Sequence, residues 1–325
     1  MHRVIERFGK DVVIFDGGMG TLLQAHGLAG GALPELWNLE RREVILAIQR
    51  EYAAAGCDIL STNTFGANRL KLQNTGHTVE QVVGAACEIA REAAAGRAAV
   101  ALDIGPSGKL LEPYGDLSFD DAYALFQEMV VAGRDKADLV LIETMSDTYE
   151  VKAALLAAKE NCDLPVVVTY TFDSTGKLLT GGSIEAAVTL AESLGADAVG
   201  MNCSLGPEQM ADFVPRLLAA TRLPVCVTPN AGLPVAVNGE TTYPVGPEEF
   251  CGWAERFAGA GVALLGGCCG TTPAHIRCIA EALRGRPVPA RSVPARTVVS
   301  SYTKTAEFGA RPLLIGERIN PTGKP

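Results

Sequence analysis

The sequence predicts an α/β chain folded as a (β/α)₈ barrel, of the TIM type, followed by a C-terminal extended linker. Three observations lead there. Eight short apolar runs are continuous enough to be strands buried on both faces. Helix-patterned stretches alternate with them, which is the mark of parallel βα units. Their spacing is even, near the roughly 30 residues per unit that follow when about 250 residues are spread over eight units. A doubly wound sheet is the rival, but it does not call for eight units so regularly spaced.

The elements follow in order. Val12-Val13-Ile14-Phe15 is the first strand, followed by a long loop and a helix from about Arg41 to Ala55. Asp58-Ile59-Leu60-Ser61-Thr62 is the second, with a helix from Val79 to Ala95. The third runs from Ala98 to Leu102, and its helix opens at Ser118, with Asp121 three residues on in a capping pattern. Leu139–Ile142, Pro165–Val168, Ala198–Met201, Leu223–Val227 and Val262–Leu265 complete the eight, each with a helical stretch of ten or more residues expected behind it. The barrel is expected to occupy residues 1–285. Residues 286–311 read as an extended linker, rich in proline and arginine between Arg286 and Arg296, and 312–325 as the opening strand of a further domain.

Composition narrows the function classes. Hydrophobic residues make up 48% of 325, enough for a sizeable core, and the net charge of −9 argues against nucleic acid or an anionic membrane as partner. No apolar run reaches the length of a membrane span, and Met1–Arg7 lacks the apolar stretch of a signal peptide. Nine cysteines, an odd number, do not suggest a disulfide scaffold. Cys57, Cys87, Cys162, Cys226, Cys251 and Cys278 sit in apolar segments and fit core packing, so the protein reads as cytoplasmic.

The remaining three cysteines carry the chemistry. Gly266-Gly267-Cys268-Cys269-Gly270-Thr271-Thr272-Pro273 follows an apolar strand and precedes a helix. Adjacent side chains on a strand point apart, and flanking glycines relax that restriction. Two buried cysteines or a vicinal disulfide is the competing reading. Cys203, in Gly200-Met201-Asn202-Cys203-Ser204-Leu205-Gly206-Pro207, also ends a strand. It lies 268 − 203 = 65 residues upstream, which is two barrel units, so one strand should separate the two cysteine motifs on the same rim. Three thiolates without an evident fourth protein ligand describe a catalytic zinc site with one open position.

Chemistry in this fold sits at the C-terminal strand ends, here Asp16, Asn63, Asp103, Glu143, Thr169, Cys203, Asn230, Cys268 and Cys269. The glycine-rich Asp16-Gly17-Gly18-Met19-Gly20-Thr21 offers backbone N–H groups as a cradle for a carboxylate, or is simply a tight turn. Asp16 and Glu143 are each solvated or helix-capping carboxylates if read singly. Together with the cradle they would hold an ammonium group, so the set suits an α-amino acid carrying a thiol. His275 falls inside the helix after the cysteine pair and reads as structural or surface, not as a ligand.

These segments, with Thr62-Asn63-Thr64-Phe65, Glu143-Thr144-Met145 and Asn202-Cys203, resemble the homocysteine S-methyltransferase family over residues 10–285. The tail Ile315–Gly323 is similar to the opening strand of the methyltetrahydrofolate-binding domain of cobalamin-dependent methionine synthases, whose N-terminal homocysteine-binding module the chain resembles. The resemblance implies Zn²⁺ on Cys203, Cys268 and Cys269, and homocysteine sulfur in the open position. It also implies substrate ammonium on Asp16 and Glu143, and substrate carboxylate on the backbone of Gly18, Met19, Gly20 and Thr21. Asn230 is the candidate for a resting oxygen ligand, against a plain loop amide closing a turn, and Asn63 and Thr64 would orient the site. The implied donor is methylcobalamin, bound by a cobalamin-carrying module not in this chain, with methyltetrahydrofolate as ultimate donor through a folate-binding domain of the full-length enzyme. S-methylmethionine or betaine as donor, or a non-catalytic zinc- or thiol-sensing barrel, are the alternatives.

Overall fold

The eight apolar runs form one parallel sheet in the computed structural model, which describes residues 2–237 and 240–316. The strands are β1 (Val13–Ile14), β2 (Ile59–Ser61), β3 (Ala99–Ile104), β4 (Leu139–Met145), β5 (Val166–Tyr170), β6 (Ala198–Asn202) and β7 (Val225–Thr228). An inserted antiparallel hairpin, β8 (Val235–Val237) and β9 (Glu240–Thr242), precedes the last barrel strand, β10 (Leu264–Leu265). The sheet order is β1-β10-β7-β6-β5-β4-β3-β2. A parallel bridge between Phe15 and Ile59, with the Asp16 N–H donating to the Ile59 carbonyl at 3.1 Å, joins β1 to β2 and closes the ring. The fold class is that expected, and β7 separates β6 from β10 as the 65-residue spacing required.

Alternation along each strand divides the barrel into a floor and a mouth. Residues two apart share a face, and Val13, Phe15, Ile59, Ala99, Ala101, Leu139, Leu141, Val167, Ala198, Cys226 and Leu264 fill the interior as one apolar cluster. One step beyond that layer the same inward faces carry Ser61, Asp103, Glu143, Thr169, Asn202 and Thr228. Helices Arg42–Ala55, Val79–Ala94, Phe119–Gly133, Thr148–Asn161, Ile184–Ser193, Pro247–Ala260 and Pro273–Leu283 bury their apolar faces on the outside. Several of their starts are capped by side chains: Thr78 and Gln81 form a capping box, and Ser118 accepts the Asp121 N–H as its spacing suggested.

Two stretches depart from expectation. Behind β6 the helical stretch breaks into Pro207–Ala211 and Val214–Ala220. Pro215 has no N–H to continue the ladder from the first piece, which accounts for the break. In the stretch expected to be an extended linker, β11 (Thr297–Ser300) pairs antiparallel with β12 (Thr305–Phe308). Tyr302 in its turn donates to Asp147 Oδ2 at 2.7 Å, and the Thr148 hydroxyl donates to the Tyr302 carbonyl at 2.9 Å. Arg291 donates to the carbonyls of Leu218 and Leu223 at 2.7 and 2.6 Å, tying the proline-rich segment beneath helix Val214–Ala220 and β7. Residues 312–316 carry no regular structure, and the rest of the proposed folate-domain strand, 317–325, lies outside the described residues. No helix among the described residues is long and apolar enough to cross a membrane.

A repeated device pins the N-terminal ends of the strands. The residue before β2, Asp58, accepts the Ile14 N–H of β1 at 3.0 Å and pairs with Arg7 at 2.8 Å. Asp138, before β4, accepts the Val100 N–H of β3 at 2.8 Å and pairs with Arg91 at 2.6 Å. Asp197, before β6, accepts the Val166 N–H of β5 at 2.8 Å and pairs with Lys159 at 2.9 Å. Each aspartate thus satisfies a strand N–H and meets a cation of this chain. Asp58 sits at the seam where the barrel closes and is the most buried of the three. Asp58→Ala should lower the unfolding free energy by about 2–3 kcal/mol through the orphaned N–H and the unpaired Arg7. A urea titration with an unchanged midpoint would show that the seam does not depend on it.

Candidate metal centre and binding cavity

Three thiols meet at the C-terminal mouth. The sulfurs of Cys203, Cys268 and Cys269 all lie within 4.8 Å of one another, with Cys203 and Cys269 at 4.0 Å. Cys203 comes directly after β6 and takes a left-handed backbone (φ 56°), as does Ser204 (φ 58°). That turn swings its sulfur toward the loop beyond β10. The glycines beside Cys268 and Cys269 act mainly by letting segments approach. A Cβ on Gly266 would lie 2.7 Å from Phe15 Cβ, and one on Gly267 would collide with Thr271. Only Gly270 among the three uses a positive φ, 79°, and the Tyr243 ring lies over it.

Backbone contacts fix the cysteine loop. The Cys268 N–H donates to the Pro229 carbonyl at 2.9 Å, and the Cys269 N–H to Asn230 Oδ1 at 3.1 Å. Thr271 bridges to the first loop: its hydroxyl accepts the Gly18 N–H at 3.0 Å and donates to the Cys268 carbonyl at 2.7 Å. Gly18 must be glycine here, since a Cβ would come 2.7 Å from the Cys268 oxygen. His275 is structural: the Thr272 N–H donates to Nδ1 at 3.2 Å, so Nε2 carries the proton given to the Val245 carbonyl at 3.0 Å.

Beside the thiols lies a cavity of about 270 Å³. Its walls include Asp16, Glu35, Asp103 and Glu143, the three cysteines, and the segment Gly17–Thr21, and among the described residues no lysine, arginine or histidine lines it. Asp16 accepts from Ser61 through both oxygens, from the backbone N–H at 2.8 Å and the hydroxyl at 2.9 Å. Desolvation nevertheless raises its pKa to about 7. Glu143 is raised to about 8, first by desolvation and then by the charge of Asp16. Within the thiol cluster, donation from Cys203 and Cys268 holds Cys269 well below the usual thiol range.

Most of the residues expected from the sequence converge here. Asp16, Gly18, Met19, Gly20, Thr21, Asn63, Glu143, Cys203, Cys268 and Cys269 all line the cavity. Asn230 does not; its amide oxygen faces the Cys269 N–H. Asn63 spends its amide on the Pro34 carbonyl at 2.9 Å and Asn38 Oδ1 at 3.1 Å, so it fastens the turn that delivers Glu35. Helix Met19–Ala25 begins within the glycine loop, which leaves the Met19, Gly20 and Thr21 N–H groups without intrahelical acceptors.

Sequence reasoning passed over two groups. Asn202, beside Cys203, is almost wholly buried and organises the mouth. Its oxygen accepts the Thr144 N–H at 2.9 Å and the Thr169 hydroxyl at 3.0 Å. Its amide nitrogen reaches Thr144 Oγ1 at 2.7 Å, Glu143 Oε2 at 3.3 Å and Cys268 Sγ at 4.0 Å. The inward period of β6, Ala198-Gly200-Asn202, was the available signal. Glu35 is buried in the long first loop, where no periodicity marks it.

Asp16 binds its proton more tightly folded than unfolded, so its contribution to stability is full below its unfolded pKa near 3.8 and is lost as pH rises through about 7. Replacing it by Asn removes that dependence. The stability of Asp16→Asn relative to wild type, without ligand, should therefore rise by on the order of a few kcal/mol between pH 5 and pH 8. Denaturation midpoints that run parallel across that range would refute the burial of this charge.

Comparison with known proteins identifies the family. The family model described as homocysteine S-methyltransferase matches residues 13–283. The methionine synthases of Mycobacterium tuberculosis and Mycobacterium leprae are each 35% identical over 98% of this chain, which spans 29% of their length. Crystal structures of the Escherichia coli homocysteine methyltransferase MmuM, in metallated and oxidized forms, are 25% identical with TM-scores of 0.70 and 0.71. Each covers 84% of this chain and 96% of its own. From residue 13 to residue 283, then, the chain belongs to the homocysteine S-methyltransferase family.

Proposed function

We propose that the barrel binds L-homocysteine and carries methyl transfer to its thiol, giving methionine. The observation that carries the reading is the meeting of three thiols at the wall of a cavity whose charged lining is wholly acidic. An α-amino acid with a thiol brings the groups this lining lacks.

The thiols fit zinc. Tetrahedral ligands with Zn–S near 2.3 Å lie about 3.8 Å apart, close to the 4.0 Å between Cys203 and Cys269. Cys203, Cys268 and Cys269 would hold the ion, and a crystallised relative is named as metallated. When bound, zinc favours the thiolate form of a substrate sulfur, while three cysteine thiolates leave that sulfur electron-rich enough to attack a methyl group.

The chain's own residues then position the substrate. Asp16 and Glu143 accept its ammonium, and the N–H groups of Met19, Gly20 and Thr21 receive its carboxylate. The Gly18 N–H is already given to Thr271, so Gly18 contributes by its lack of a side chain. Asn202 orients Glu143 and Cys268 together. Asn230, expected as an oxygen ligand at rest, accepts the Cys269 N–H through its amide oxygen, which keeps a second lone pair for an ion. Its present contact supports a role in positioning Cys269.

Methylcobalamin, carried by a module outside this chain, is the proposed immediate donor, with methyltetrahydrofolate behind it through a folate-binding domain. The methionine synthase relatives, more than three times as long as the matched part, support further modules. Nine unpaired thiols support a reducing compartment, the cytoplasm.

Zinc-loaded protein should demethylate free methylcobalamin anaerobically only when homocysteine is present, and chelation should stop it. Silence from fully loaded protein would move the donor to S-methylmethionine or betaine, each tested in the same assay. Failure with all three would favour a sensing barrel. Cys203→Ser should lose both zinc and turnover; full zinc with full turnover would refute the three-thiolate site.

A further inference from the structure

We propose that Asp103 is a further acceptor for the substrate ammonium, and the residue that selects an α-amino thiol over a thiol acid lacking the amino group. The proposal rests on the homocysteine reading above and extends it to a residue to which that reading gives no role.

Asp103 stands on the inward face of β3, in line with Ala99 and Ala101 of the interior cluster, and lines the cavity. Its backbone is clamped on both sides. Its N–H donates to Thr62 Oγ1 at 3.0 Å, and its carbonyl accepts from Thr64 Oγ1 at 2.6 Å, the two hydroxyls being 2.7 Å apart. Its side chain is the opposite case. The residue is 5% exposed, and Oδ1 is buried with no hydrogen-bond partner among the described residues.

A buried carboxylate oxygen without a donor is costly, and such groups in folded proteins ordinarily find one. Among the described residues no lysine, arginine or histidine lines the cavity, so a proton of its own satisfies the group until a ligand brings a donor. The neighbouring carboxylates differ in how much capacity they have left. Asp16 already accepts two hydrogen bonds from Ser61, and Glu143 accepts one from Asn202. Asp103 accepts none through its side chain among the described residues.

An ammonium group has three N–H donors, and Asp16, Asp103 and Glu143 offer it three carboxylates. The parallel register of β3 and β4 pairs Asp103 with Leu141, which puts Glu143 two residues further along the adjoining inward face. Glu35 also has a free buried oxygen, Oε2, but its other oxygen is taken by the Gly66 N–H and it comes from the long first loop rather than a strand. Asp103 is therefore the acceptor that is both rigidly placed and uncommitted.

The test compares L-homocysteine with 4-mercaptobutanoate, which keeps thiol and carboxylate and lacks the ammonium. Calorimetric affinities are measured on the zinc-loaded full chain, wild type and Asp103→Asn, with zinc content and thermal midpoint as folding controls. Asp103→Asn should weaken homocysteine by about tenfold or more, as expected for losing a charge-assisted hydrogen bond, and change 4-mercaptobutanoate by less than about twofold. Equal weakening of both ligands, or of neither, would overturn the proposal. Wild type that binds neither ligand would instead overturn the homocysteine reading, and this proposal with it. Should Asp103→Asn lose zinc or unfold, Asp103→Ser is put through the same comparison, with the same two outcomes deciding.

Discussion

Carboxylates taken out of water must find a donor, a cation or a proton, and the mouth of this barrel supplies few of the first two. Asp16, Glu35, Asp103 and Glu143 share one cavity with three thiols, and the charge of each makes the ionisation of the others harder. Without a ligand the site can hold its protons. Asp16 and Glu143 are shifted to about 7 and about 8, which leaves much of the charge absent near neutrality. A ligand that brings an ammonium group reverses the balance, because the ionised forms then become the favoured ones. Selectivity for a cationic ligand therefore follows from desolvation, before any particular contact is considered.

Backbone geometry decides whether those groups can act together. An irregularity within β4 and the turn that follows β6 put Thr144, Cys203 and Ser204 in left-handed conformations that cost non-glycine residues about 1–2 kcal/mol each. Such conformations persist where surrounding contacts over-determine them. Asn202 supplies that at Thr144, bonding both its N–H and its hydroxyl, and Thr171 and Ser204 exchange a hydroxyl contact of 2.6 Å. One buried amide thereby sets Glu143 and Cys268 relative to each other. The carboxylate and thiol ends of the cavity are coupled through a residue that lines neither by charge.

What the sequence made legible was periodic or chemically rare. Eight apolar runs repeat at a barrel's spacing, and three cysteines at strand ends stand out because few residue types bind thiophilic metals. Asp16 and Glu143 could be named from position alone. Asn202 was noted only as part of the Asn202-Cys203 motif and given no role, because asparagine at a strand end is commonplace, and only its four hydrogen bonds to Thr144, Thr169 and Glu143 distinguish it. Glu35 was hidden by distance: it reaches the cavity from the long first loop, through a turn held by the Asn38–Asn63 pair, which no local pattern encodes. The hairpin β11–β12 was missed since its Ser301–Lys304 connection has no glycine or asparagine turn signal and its flank is rich in proline. Asn230 shows the limit of position as evidence. It stands beyond a strand end as expected, and position did not reveal that its amide oxygen accepts the Cys269 N–H.

The two ends of the barrel use the same acid for opposite purposes. At the N-terminal ends of β2, β4 and β6, Asp58, Asp138 and Asp197 each accept a strand N–H and each meet an arginine or lysine of the chain. Their charge is settled within the fold, so what they provide is register and closure. At the C-terminal mouth, Asp103 and Glu143 extend the inward faces of β3 and β4 into a cavity that no basic side chain among the described residues lines. Adding a lysine there would settle that charge too, and would stabilise the domain while removing the uncompensated charge that the proposed ammonium ligand would meet. Stability and recognition are thus separated along the strands, and the sign of the separation is readable at each acid from whether this chain provides it with a cation.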